Sequence, residues 1–137
     1  MHRVFLAQRN PTVERAWETT LALIAELRRM VESAGGRFVL FYIPFSDEVN
    51  PDWWEETVSA SPPLQEQEWD LGGPERRLRA FCDGAGIEFL SPRELMARDE
   101  QFGTDRFYFK HGHLNESGHS LVADQVAAWL LNGSASG

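Results

Sequence analysis

One cysteine, Cys82, stands in the whole chain of 137 residues, so no internal disulfide can form. It falls on an apolar helical stripe with Leu78 and Phe81, the setting of a buried, inert thiol rather than a catalytic one. No apolar run is long enough to span a bilayer, and the N-terminal MHRVFLAQRNP is too short in its apolar part for a signal peptide. Basic charge is scarce as well. Thirteen Lys and Arg against twenty-one Asp and Glu leave a net charge of −8, which argues against nucleic acid as a partner because phosphate contacts need clustered cations. The basic cluster Arg76-Arg77-Leu78-Arg79 sits in a helical pattern and reads as a solvated face. No internal repeat or low-complexity segment occurs.

What remains is a globular composition, 42% hydrophobic with five Trp and nine Phe. Residues 1–137 are read as a single domain, with 132–137 a flexible tail. Val13, Trp17, Leu21, Ile24, Leu27 or Arg28, and Val31 recur at three- and four-residue steps, predicting a helix over Thr12 to Ala34 between Asn10-Pro11 and Gly35-Gly36. RFVLFYIP, Arg37 to Pro44, is apolar on both faces, the signature of a central parallel strand. Phe45 to Gly73 breaks the pattern and is expected to be a long insertion loop, with a short helix around Asp52 to Val58. A helix over Pro74 to Gly84, a strand over Ile87 to Leu90, a helix from Ser91 to about Arg98 and a last helix from Ser117 to Leu131 complete the order. The alternation predicts an α/β fold, a parallel sheet flanked by helices. Arg3 to Ala7 is the candidate for a third strand. So few strands leave open edges, which predicts either a homo-oligomer or an N-terminal partner segment that completes the sheet.

Three of the four histidines, His111, His113 and His119, crowd the stretch before the last helix. A metal site could recruit Asp105 and Glu116 beside them, but the spacing fits no helical zinc pair. No metal and no cofactor are expected. The acid–base reading fits better: a histidine in a loop before a helix can take a proton from a nucleophile. Trp53 and Trp54 are candidates to line an acyl or sugar pocket. The acids Asp47, Glu48, Glu55, Glu56, Glu66 and Glu68 could supply a glycosidase pair but read more simply as solvated.

Gly112-His113-Leu114-Asn115, Gly118-His119 and the following Leu121-Val122-Ala123 resemble the last motif block of the SGNH/GDSL hydrolase superfamily, with related wording in its alginate O-acetyltransferase-like branch. The likeness runs from about Ala16 to Leu130. It implies a flavodoxin-like, three-layer sheet fold and a serine-dependent esterase or acyltransferase acting on a small-molecule ester or acylated sugar. His113 takes the position of the general base, with His111, Asn115 and His119 in support and Asn115 capping the helix. Two departures follow. The family has aspartate where this chain has His111. Its Gly-Asp-Ser nucleophile block and the Gly and Asn of its oxyanion hole have no counterpart here; Ser46-Asp47 follows a strand but lacks the glycine. The chain thus reads as the C-terminal half of such an enzyme, lacking the N-terminal strands and inactive alone. The alternative is a noncatalytic binding or assembly module on the same fold.

Overall fold

The computed structural model describes residues 2–8, 10–99, 105–110 and 112–134. It is a helix-rich α/β structure with a small parallel sheet, and it divides into two compact units.

The first unit comprises Met1–Tyr42 and Ser61–Leu90. Helix α1 spans Pro11–Ser33. Asn10 starts it by accepting the N–H groups of Thr12 and Val13 at 3.0 and 3.3 Å, and Pro11 needs no donor partner at the first position. Gly35, at φ +79°, lets the chain leave. Strand β1, Val39–Phe41, pairs in parallel with β2, Glu88–Leu90, in the register Val39 to Glu88. Both are shorter than the apolar runs that signalled them. Helix α5, Gly73–Ala85, feeds β2 through Gly86 at φ +64°, where the Ile87 N–H returns to the Cys82 carbonyl at 2.8 Å. Burying Ile24, Leu78, Cys82 and Ile87 together unites α1, α5 and the start of β2.

Two expectations change in this unit. Arg3 to Ala7 adds no third strand: His2–Phe5 is a short 3-10 helix, and Leu6 makes a lone antiparallel bridge to Trp69. Phe5 is buried, and its carbonyl accepts the Asp70 N–H at 2.7 Å, so the segment is fastened to residues 68–70 instead of to the sheet. The arginine cluster is not bare solvated charge. Arg77 grips both oxygens of Glu14 at 2.9 Å and lies over the Trp17 ring, Arg79 pairs with Glu75, and Arg76 with Asp70. On α1, Leu23, Leu27 and Met30 form a second stripe that is more than half exposed.

The second unit comprises Ile43–Ala60 and Ser91–Gly137. The segment expected as an insertion loop is largely helical. It holds α2 (Ser46–Val49) and α3 (Pro51–Ser59), while α4 (Pro62–Gln65) belongs to the first unit. Asn50 and Pro51 make a second helix start of the kind seen at Asn10-Pro11. Asp47 and Glu48 are buried rather than solvated, because the Glu48 carboxylate accepts the Phe45 N–H at 2.6 Å. Helix α6 is Arg93–Ala97, its Arg93 N–H held by Ser91 Oγ at 3.3 Å. Helix α7 runs Glu116–Ser134. Val49, Met96, Phe107 and Tyr108 make the core, with Trp53, Leu114 and Leu121 against it. No described helix is long and apolar enough to cross a membrane.

Candidate functional site

The site grows from the chain between Phe107 and α7. Phe107 and Tyr108 are buried, so the backbone there is fixed by side-chain packing. Tyr108 and Leu114 form an antiparallel bridge. Inside it the Phe109 N–H donates to the His113 carbonyl at 2.8 Å, and the Gly112 N–H to the Phe109 carbonyl at 3.0 Å. This closes a tight turn whose Gly112 sits at φ +88°, a conformation that only glycine adopts without strain.

Asn115 then starts α7. Its Oδ1 accepts the Gly118 N–H at 3.0 Å, and its Nδ2 donates to the carbonyls of Asp105 and Arg106 at 2.7 and 3.1 Å. One side chain therefore caps the helix and ties down the segment before the turn. Gly118 is required by proximity, since a β-carbon there would meet the Phe107 carbonyl oxygen and Leu114. From the other side the Tyr108 hydroxyl donates to the Pro44 carbonyl at 2.6 Å. Burial, and after it the charge of Glu48, push the Tyr108 phenol well above its ordinary range, so it stays a neutral donor.

Three of the motif's residues, Gly112, Asn115 and Gly118, thus have structural work that accounts for their identity. His113 is different. It is exposed, and its ring makes no hydrogen bond or ion pair among the described residues. The backbone on both sides is held while the imidazole faces water. His119 is exposed on the first turn of α7, its backbone N–H bonded to the Asn115 carbonyl at 2.9 Å and its ring equally without a partner. His111 lies outside the described residues. No described carboxylate reaches the His113 ring; Asp105 and Glu116 contribute only their main chain and a helix start nearby. No group of three His, Cys, Asp or Glu among the described residues could hold a metal ion.

Ser46 is not a solvated loop residue. It opens α2, is buried, and its Oγ lies 3.5 Å from where a Gly112 β-carbon would stand. The hydroxyl therefore borders the backbone of the histidine turn.

The two tryptophans part company. Trp54 is buried. Trp53 lines a cavity of about 530 Å³ together with Asp52, Glu56, Asp105, Tyr108 and Phe109. Asn50, Lys110 and Asn115 also reach it. Sequence reasoning singled out Trp53, and named Glu56 and Asp105 in other roles, but did not single out Asp52 or Phe109 as pocket residues. The signal was present in NPDWWEE and in DRFYFK, two short stretches that each mix aromatic and charged residues. Comparison of the chain with protein-family models, with curated proteins and with solved structures finds no match.

Proposed function

We propose that this chain is the general-base half of an SGNH-type acyl-ester hydrolase or acyltransferase, with a flavodoxin-like three-layer sheet completed by strands from another segment. The observation that carries the reading is the isolation of the His113 imidazole from structural duty on a braced turn. A base must be held in position and remain open to substrate. In this reading Nε2 of His113 removes the proton of a serine hydroxyl, and the alkoxide oxygen bonds to the ester carbonyl carbon. The proton then passes to the departing alcohol as the acyl–oxygen bond breaks, and water or an acceptor hydroxyl releases the acyl group in a second pass. Among the described residues no carboxylate stands at the His113 ring in the place of the one that usually stabilises an imidazolium.

The test has two arms. The purified chain, given a short-chain nitrophenyl ester, should turn over at background rate. Joined by co-expression to the upstream segment of its reading frame, it should gain hydrolysis that His113→Ala removes. A reading frame without a serine block, or turnover indifferent to His113→Ala, refutes the proposal.

A second reading has its own observation. The exposed Leu23, Leu27 and Met30 on α1, and a sheet that has only two strands among the described residues, favour a noncatalytic assembly module.

A further inference from the structure

The cavity beside α3 has a composition that the acyl-transfer reading does not use. Its aromatic lining is Trp53, Tyr108 and Phe109, and Phe109 is 60% exposed, a large apolar surface left to water. Its carboxylates are Asp52, Glu56 and Asp105. Lys110 pairs with Glu56 at 2.9 Å, an exposed pair that solvent screens. The carboxylates of Asp52 and Asp105 have no cationic partner among the described residues.

Asn50 supplies an independent sign of a ligand. It lines the same cavity at 3% exposure. Its Oδ1 is occupied by the Trp53 N–H, at 3.4 Å, while its Nδ2 hydrogens find no acceptor among the described residues. The side chain is buried but Nδ2 is not sealed from solvent, so an oxygen on a molecule in the cavity can accept from it in place of water.

These groups select a chemistry. Aromatic faces beside carboxylates attract an organic cation and repel an anion. The free amide donor calls for an oxygen acceptor on the same molecule. Ring or methylene carbons of the ligand would cover Phe109. A chain of net charge −8 adds a field that favours positive ligands. We propose that this cavity binds a small hydroxylated organic cation of the amino-sugar or amino-alcohol class. The site stands whether or not His113 is a catalytic base.

The test uses the intact, isotope-labelled chain and follows the Trp53 indole N–H resonance at about pH 6, where an amine is protonated. D-glucosamine is the probe, with D-glucose and D-glucuronate as neutral and anionic counterparts. Glucosamine should shift the Trp53 signal saturably, at least about tenfold more tightly than glucose, and raising salt should weaken it. The exposed pair of changes Asp52→Asn and Asp105→Asn should weaken binding by about tenfold or more. Asn50→Ser keeps an oxygen to cap α3 but removes the amide donors, and should weaken it while far-UV circular dichroism stays unchanged. No saturable shift with glucosamine overturns the site. Equal binding of glucose, or a carboxamide variant that binds as wild type, overturns its cationic selectivity and with it the proposal.

Discussion

A β-carbon added to Gly118 would collide with the carbonyl oxygen of Phe107, so the first turn of α7 rests directly on the backbone of the segment before the histidine turn. Gly118→Ala must therefore push the helix away or distort residue 107, neither of which a flexible side chain can absorb. The expected loss is about 1–3 kcal/mol of unfolding free energy, as for other overpacked sites. Urea denaturation followed by circular dichroism measures it. Gly112→Ala should cost about 1–2 kcal/mol for a different reason, the left-handed backbone at φ +88°, since the space around it is adequate.

Asn115 invites a split experiment. Asn115→Ala loses the cap and both donors to residues 105 and 106, and should cost about 1–2 kcal/mol or more. Asn115→Asp keeps an acceptor for the Gly118 N–H but offers no donor to the two carbonyls. An intermediate loss separates capping from bracing. If Asp behaves as wild type in denaturation, the two carbonyl bonds contribute nothing measurable.

The histidines should behave in the opposite way. His113 and His119 are exposed and their rings touch no partner among the described residues, so His113→Ala and His119→Ala should each change stability by less than about 0.5 kcal/mol. A larger loss in either variant, measured under the same denaturant conditions, would assign that ring a structural role.

This contrast also explains how much of the site was legible beforehand. Proline and asparagine punctuation marked the start of α1 and Gly35-Gly36 its end, and the α5 end expected at Gly84 falls one residue later, before Gly86, because those signals act within a few residues. Asn115 was readable as a cap for the same reason. Gly118 was not readable as a contact, since the atom that requires it belongs to Phe107 and only folding brings them together. Arg3 to Ala7 has strand composition, but long-range bonds from Ala7 to Glu68 and from Asp70 to Phe5 decide its conformation. Helix α3 was legible as the short helix around Asp52 to Val58, with Pro51 as its first residue, whereas α2, only four residues long, left no periodic signal. Buried Asp47 and Glu48 were hidden likewise, because burial of an acid depends on partners that composition does not reveal.

The stripe on α1 bears on assembly. Leu23, Leu27 and Met30 are spaced as neighbours on one helical face and lie outside the first unit's core. Light scattering should give a mass above the 15.6 kDa of one chain at micromolar concentration, and Leu23→Lys with Leu27→Lys should return it to that value without a stability loss. A monomeric wild type would remove self-association as the use of this face.

Tyr108 makes stability depend on alkaline pH. Its phenol is raised in the folded state by burial first and by the charge of Glu48 second. Below the unfolded value of about 10 the proton is bound in both states and the contribution is constant. Above it the unfolded chain releases the proton and the folded chain keeps it, so the folded state binds more protons and stability falls as pH rises toward the folded value. The slope should approach about 1.4 kcal/mol per pH unit from this group. Tyr108→Phe removes the titrating proton and also the bond to the Pro44 carbonyl, so at neutral pH it should be about 1 kcal/mol less stable. Because only wild type carries the alkaline slope, the two stabilities should converge between about pH 9 and 11. Parallel curves over that window would mean that Tyr108 ionises as freely in the folded chain as in the unfolded one, and that its hydroxyl is not sealed against Pro44.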